Sequence, residues 1–540
     1  MRSMRFLLVL IPCLAFGQWL DPKALKLFDP PAGVWPTYNG DYSGRRYSDI
    51  PQINQSNVDL LKIEWIFRIQ GIGPQRGVGN PTIKSTPLLV NDVLYFTIPD
   101  HVFAISARTG EQLWQYDFED KGGHLVGQRG VAMYGKWLYF LSPDGWFISL
   151  NAKDGKERWR KKVADEKLQY FTTIAPIIVK NHVIVGVGGD AMDVRGYLES
   201  RDPETGEVQW KWWSQPQKMG DPGSETWPNQ AAMDHGGGMT WLPGTYDPEL
   251  NLIYWGTGNA NPVFAGQGRK GSNLYTACLV ALDADTGQLK WYFQASPHDT
   301  HDWDNVETPV LFDAKIDGKP RKLLGQGSRA GWFFLLDRTN GKNLVSKPFT
   351  GTGNWAKGVD PKGQPIPDPD KEPKVDGSMI DMPAMGATNW QSPSYSPQTE
   401  MFYLNGTEGY GMAYLYDTSE HPEGYGGGGG GNFDSKSSLF AIDVRTGAVK
   451  WKHSHVSRGF GSGGPGGGIL TTAGHLLFTG DSGNLVAFDP ANGKILWHQQ
   501  LMAPLSNGPS TWLLDGKQYL MVGAGDCLYA LTLAGKASSR

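Results

Sequence analysis

Cysteine is nearly missing, with 3 in 540 residues. Cys13 lies in the N-terminal apolar stretch, while Cys278 and Cys527 sit in the apolar runs ACLVAL and DCLYAL, where buried free thiols are expected ahead of a disulfide. A scaffold stapled by many disulfides is excluded, and because no C-x-x-C-H occurs, so is a c-type haem attached to this sequence. Charge of one sign is scarce too. Lys+Arg is 50 and Asp+Glu 54, the net charge is -4, and no long basic run stands out, so nucleic acid is not an expected partner. Long hydrophobic runs are confined to the start. In MRSMRFLLVLIPCLAFGQW about a dozen apolar residues follow Arg2 and Arg5, short of the roughly 20 that a membrane span needs. With small residues at Ala15 and Gly17, residues 1–17 read as a secretory signal cleaved after Gly17, and the chain is expected to be exported with no membrane span.

Glycine, by contrast, is abundant at 71 residues, beside 36 Pro and 21 Trp, which argues against a helical bundle. One phrase recurs: AISARTGEQLW (Ala104 to Trp114), LNAKDGKERW (Leu150 to Trp159), SRDPETGEVQW (Ser200 to Trp210), ALDADTGQLKW (Ala281 to Trp291), AIDVRTGAVKW (Ala441 to Trp451) and AFDPANGKILW (Ala487 to Trp497). LLDRTNGKNL (Leu335 to Leu344) is a further copy without the Trp. Each copy reads as a strand, a turn with Gly where positive φ is needed, and a second strand ending in an aromatic residue. The shortest Trp spacings, 45, 46 and 51 residues, match one four-stranded propeller blade. The half-phrase CLYALTLAG (Cys527 to Gly535) lacks its closing strand, which LLKIEWIFRI (Leu60 to Ile69) can supply. The expected fold is therefore an all-β, eight-bladed β-propeller closed by pairing N- and C-terminal strands, a single domain over 18–540. Long insertions are expected around 211–280 and 345–440, the second holding GYGGGGGGN (Gly424 to Asn432), which reads as flexible surface loop. GFGSGG (Gly459 to Gly464) fits a dinucleotide fingerprint only by accident, since it opens no helix of a βαβ unit.

Subtracting the repeat leaves motifs rich in charge, amide and aromatic groups. SPHDTHDWDNVETPVL gathers His298, Asp299, His301, Asp302 and Asp304. WGTGNANP places Asn259 after a strand, GGGMTW holds Trp241, GSRAGWFFLLDR sets Arg329 at the start of one, and TNWQSP holds Asn389 and Trp390. A hard cation takes oxygen ligands, which Asn259 and Asp302 can supply. Asp302 can equally serve as a general base towards a substrate hydroxyl, or cap its turn as His298, Asp299 and Asp304 are expected to do. His298 and His301 lack the spacing of a zinc site.

The repeat, together with GTGN, PHDTHDWD and RGYLESRDPETG, resembles the pyrroloquinoline quinone (PQQ)-dependent alcohol dehydrogenases, from about Trp35 to Leu533. The resemblance implies a quinoprotein that oxidises an alcohol or another hydroxyl-bearing substrate with PQQ and Ca2+ as cofactors, passing electrons to a separate acceptor such as a periplasmic cytochrome c. It implies Asp302 as catalytic base and Arg329 as the cation on the reactive quinone oxygens. Arg129, Thr173, Gly188, Gly189, Trp241, Asn389 and Trp390 fall on cofactor contacts, Trp241 being the floor under the quinone. Asn259 falls on a metal ligand. The family's metal-binding glutamate falls on Ala191; either Asp190 beside it reaches the ion, or a ligand is lost. An acidic cofactor contact falls on Lys84, and the vicinal cysteines on Gly123 and His124. The extra aspartate of lanthanide-using members falls on Thr300, which implies calcium. These departures leave a competing expectation, a non-catalytic exported propeller that has lost its cofactor.

Overall fold

A computed structural model describes residues 20–22, 25–28, 32–74, 79–119, 127–419, 422–456 and 467–534. Residues 1–17 with Cys13, Gly123 with His124, and Gly459 to Gly464 lie outside the described residues. Strands dominate, and the one α-helix among the described residues is the short Gln230–Asp234. Eight sheets of four or more strands follow one another along the chain, at 88–117, 132–162, 177–213, 245–294, 310–348, 378–454, 470–500 and 510–533. The last takes its outer strand from the other end of the chain: Leu61–Arg68 lies antiparallel to Cys527–Leu533, with Leu61 opposite Leu533 and Arg68 opposite Cys527. Cys278 and Cys527 are both buried free thiols.

Inner strands such as Val93–Ile98 are buried throughout, and they read as continuous apolar runs because both faces of each sheet are covered. Outer strands such as Glu157–Lys162 carry the charges. The recurring Trp and Gly prove to be partners across sheets. The indoles of Trp65, Trp114, Trp159, Trp210, Trp291 and Trp451 donate to Ala107, Ala152, Glu204, Ala284, Arg338 and Pro490 carbonyls of the next sheet's turn, at 3.0–3.2 Å. The turn glycine there, for example Gly155 at φ +70°, lies against the preceding indole, and a Cβ on it would come within 2.6 Å of Trp114. Positive φ and the indole therefore exclude a side chain for two separate reasons. In the copy that lacks Trp, Val345 takes the same place against Gly447. Truncating a buried Trp typically costs about 3–5 kcal/mol, which applies to Trp65, Trp210 and Trp291; Trp114, Trp159 and Trp451 are half-buried and contribute less.

The glycine-rich run is only half a loop: residues 424–427 form a turn, and the rest is strand. Gly428–Asp443 is a long strand paired with Met401–Leu415, with Gly429 opposite Tyr414 and Gly431 opposite Met412. The glycines allow close packing: a Cβ on Gly430 would meet Ala384 at 2.8 Å, and one on Gly428 would meet Phe264 at 2.6 Å. This hairpin holds down the segment 382–386, and the chain at its tip reaches across to residues 190–193, where the Gly424 amide donates to Asp193 at 2.6 Å.

Candidate active site

The polar motifs occupy the segments that lead into successive sheets, and backbone hydrogen bonds link them. The Arg129 amide donates to the Thr173 carbonyl at 3.0 Å, and the Thr173 hydroxyl donates to the Trp241 carbonyl at 3.3 Å. Met239, two residues before Trp241, accepts from the Gly258 amide at 2.6 Å, and the Asn259 amide donates to Asp304 Oδ1 at 2.9 Å. Arg329 completes the series with three bonds: Nη2 to Asp302 Oδ2 at 3.0 Å, Nη1 to Asp304 Oδ2 at 2.8 Å, and Nε to the Met385 carbonyl at 3.1 Å. On the other side, Lys84 Nζ lies 6.0 Å over the Trp390 ring, and the Trp390 amide donates to Asn389 Oδ1 at 2.8 Å. Asn389 and Trp390 line an open hollow of about 280 Å3 with Gly386, Thr407 and Asn432.

One end of this arrangement is anionic. Asp190, Asp302, Asp304 and Glu307 are all buried, with Arg329 among them. Burial pushes the Asp190 carboxyl well up, reinforced by Asp304 and Asp302, and it pushes Asp302 up to about 7 against the opposing pull of Arg329. Burial alone would lower the Arg329 pKa, but Asp302, Asp304 and Glu307 outweigh it and hold the guanidinium above its ordinary value. Two acceptors here, Asp190 Oδ1 and Asn259 Oδ1, are buried without a hydrogen-bond partner among the described residues. Orphaned buried oxygens beside clustered carboxylates are costly to the bare protein and suit a hard cation. Asp190 is buried and Ala191 exposed, so the carboxylate that faces Asp302 and Asp304 is the one beside the expected glutamate position.

The other end is cationic. Arg129 is buried, its Nε lacks a hydrogen-bond partner among the described residues, and burial lowers its pKa to about 10. Lys84 is lowered as well, by burial and then by the nearby Arg129. The Arg129 guanidinium lies 5.0 Å over the Trp241 ring, so part of that indole face is covered by a cation in this structure. Two desolvated cations beside an indole suit a planar ligand carrying anionic groups.

Several expectations need correction or addition. Asp299 does cap its turn, accepting from the Trp303 amide at 3.0 Å, but Asp304 reaches across to Asn259 and Arg329 instead. The additional carboxylate beside Asp302 is therefore Asp304; the Thr300 hydroxyl sits 3.4 Å from His301 Nδ1. Gly188 exchanges backbone hydrogen bonds with Phe171 at 2.9 and 3.0 Å and lies under its ring, and Gly189 packs on Tyr170, so both have packing reasons of their own. His298 bonds the Gly271 carbonyl and His301 the Lys371 carbonyl, so neither faces a shared ion. Two contributors had no signal in the repeat. Gly386 lies directly against the Arg329 side chain at φ +94°, and the Tyr425 hydroxyl bonds Asp190 from the hairpin tip.

Burial also sets a pH dependence. Asp302 at about 7 and Asp299 at about 6 stand above the value near 4 of an unfolded chain. The cation-free folded protein thus holds protons that the unfolded chain releases, so this contribution is greatest below about pH 4 and is lost as pH rises towards 7. A cation on Asp302 displaces its proton and removes that part of the decline. Melting temperatures taken across this range should fall with pH in chelator relative to the cation-loaded protein; parallel curves would contradict the assignment.

The family model described as glucose/ethanol/alcohol dehydrogenase, β-propeller domain, matches residues 35–382, and one described as outer membrane protein assembly factor BamB matches 435–537. The quinoprotein alcohol dehydrogenase PedH of Pseudomonas putida is 36% identical over 519 residues, covering 89% of this chain and 84% of that protein. The crystal structure of quinohemoprotein alcohol dehydrogenase from Comamonas testosteroni superimposes with a TM-score of 0.83 at 32% identity, covering 94% of this chain and 82% of that one. A europium-containing methanol dehydrogenase gives a TM-score of 0.80 at 27% identity, covering 93% of this chain and 98% of the other.

Proposed function

The chain belongs to the PQQ-dependent glucose, ethanol and alcohol dehydrogenase family built on a β-propeller, and on that premise we propose that it is a periplasmic quinoprotein that oxidises an alcohol with Asp302 as base. The observation that carries this reading is the meeting of Asp302, Asp304, Asp190 and Arg329 beside the orphaned Asn259 oxygen, at the end of a series that leads to Trp241 and Arg129. The eight sheets are read as eight blades of one ring over 18–540, closed by Leu61–Arg68 on Cys527–Leu533.

Asp190, Asn259, Asp302 and Asp304 would hold the metal ion, while Arg129, Lys84 and Thr173 would hold the quinone's acidic groups over Trp241, with Asn389 and Trp390 at its edge. The bound quinone would supply the hydride acceptor and the ion Lewis acidity. Asp302 takes the substrate hydroxyl proton on its carboxylate, which Arg329 Nη2 holds in place at 3.0 Å. Arg329 stays protonated throughout, so it orients Asp302 and offers fixed positive charge to the oxygen on which negative charge develops. Burial of both groups excludes water from the proton transfer. A soluble cytochrome c is the electron acceptor this reading assigns.

The resemblance implies calcium, but the third carboxylate, Asp304, makes the site more anionic than that expectation allowed and favours an ion of higher charge. The test is reconstitution of purified protein with PQQ and either calcium or lanthanum chloride, followed by dye reduction with short primary alcohols. Quinone absorbance with alcohol-dependent turnover is expected, and faster turnover with lanthanum. Absence of both signals with either ion would overturn the reading.

A further inference from the structure

A second cluster of metal-ligating groups lies between the sheets at 378–454 and 470–500, and the oxidation does not use it. His453 is in the outer strand Val449–Ser454, and His455 follows two residues later, so both rings project to one side of the extended chain, with centroids 5.9 Å apart. Asp481 ends the strand Leu476–Asp481 of the neighbouring sheet and faces both. His453 Nε2 is 3.1 Å from Asp481 Oδ2, and His455 Nδ1 is 3.6 Å from Asp481 Oδ1. One ligand atom from each of the three residues lies within 4.8 Å of the others.

The hydrogen bonds around His455 fix its tautomer. Asn405 donates its amide hydrogens to the Gly467 carbonyl at 3.1 Å and to Thr479 Oγ1 at 2.9 Å. Its Oδ1 is therefore the atom that faces His455 Nε2 at 3.1 Å, and Nε2 carries the proton. In the neutral ring Nδ1 therefore keeps its lone pair, whereas in the imidazolium it carries a second proton towards Asp481. It has no hydrogen-bond partner among the described residues, on a side chain only 6% exposed, and it points at a carboxylate oxygen that also bears lone pairs. At 3.6 Å the two atoms are too far apart to share a proton directly. The separation is instead that of two ligands on one ion, since zinc bonds of about 2.0–2.1 Å in tetrahedral geometry set neighbouring ligands roughly 3.4 Å apart. A histidine whose far nitrogen is fixed by an amide oxygen is also the usual arrangement around a bound metal.

We infer that His453, His455 and Asp481 bind a divalent transition ion of the zinc type, which staples these two sheets and leaves one coordination position to water. Imidazole nitrogens select such an ion over the hard, oxygen-seeking cation of the quinone site, so the two sites take different metals.

The experiment uses protein already loaded with PQQ and its own cation, titrated with zinc chloride and then freed of excess metal by gel filtration. One zinc per chain should be retained, with a higher melting temperature than before addition, and cobalt(II) in its place should give the visible bands of a low-symmetry nitrogen and oxygen site. His455→Gln and Asp481→Asn should lose the ion and the thermal gain while dye reduction stays within about twofold. Asn405→Ala should weaken zinc binding by roughly 10–100-fold, as expected when the group orienting a ligand is removed. If either variant fails to fold, the cobalt spectrum of the unaltered chain decides. No retained zinc and no cobalt bands, or equal retention by a folded His455→Gln variant, would overturn the inference.

Discussion

Asp302→Asn should lower kcat by about 10²–10⁴, the usual contribution of a positioned general base, while the folded protein survives. Asn is the replacement of choice because Asp302 has a φ of +66°, a left-handed conformation that Asn and Asp adopt more readily than other side chains. The amide keeps the volume and one acceptor oxygen for Arg329, whose second bond, to Asp304, is untouched. It removes one buried carboxylate from a set whose burial already disfavours ionisation, so the melting temperature of the cation-free variant should match or exceed that of the parent. Steady-state dye reduction and thermal unfolding on the same preparation test both halves. Retained turnover would remove Asp302 from the chemistry, and a collapse in stability matching the loss of rate would make its role structural.

Arg329→Ala should be the most destabilising single change at the site, at about 3–5 kcal/mol, the range found when one partner of a buried ion pair is deleted. The guanidinium is the cation that counters Asp302 and Asp304 directly and Glu307 at longer range. Without it these groups must stay protonated or repel, so stability should fall more steeply with rising pH than in the parent. Arg329→Lys separates charge from shape. An ammonium restores the charge but not the fork that spans two carboxylates and the Met385 carbonyl, so stability should recover in part while turnover remains low. Chemical denaturation of the three proteins at several pH values measures this; a loss below about 1 kcal/mol for Arg329→Ala would show that the carboxylates relax without their counter-ion.

The periodic part of the fold was readable because strand, turn glycine and Trp fall at fixed offsets within each copy. What Trp touches was not readable, since each indole rests on the glycine of a different copy, as Trp114 does on Gly155. At the site, Asp302, Arg329 and Asn259 are visible as polar residues foreign to the repeat. Asp304 differs from its expected capping role because a carboxylate near a turn can cap that turn or cross to another segment, and only the tertiary path decides; Asp299 does the first and Asp304 the second. The glycine-rich run misled for a related reason. A run of glycines reads as flexible loop, whereas here it lets a strand lie against Ala384 and Phe264 with no side chain between them.

The pairing of Leu61 with Leu533 has a consequence for how the molecule is made. The strand at 61–68 leaves the ribosome early, yet its hydrogen-bonding edge has no mate until almost the entire polypeptide has followed. Such remote pairing is slow, because nearly the whole chain must be made before these two strands can meet. Any product ended before residue 527 would carry that raw edge unpaired, the kind of strand that templates association with another chain.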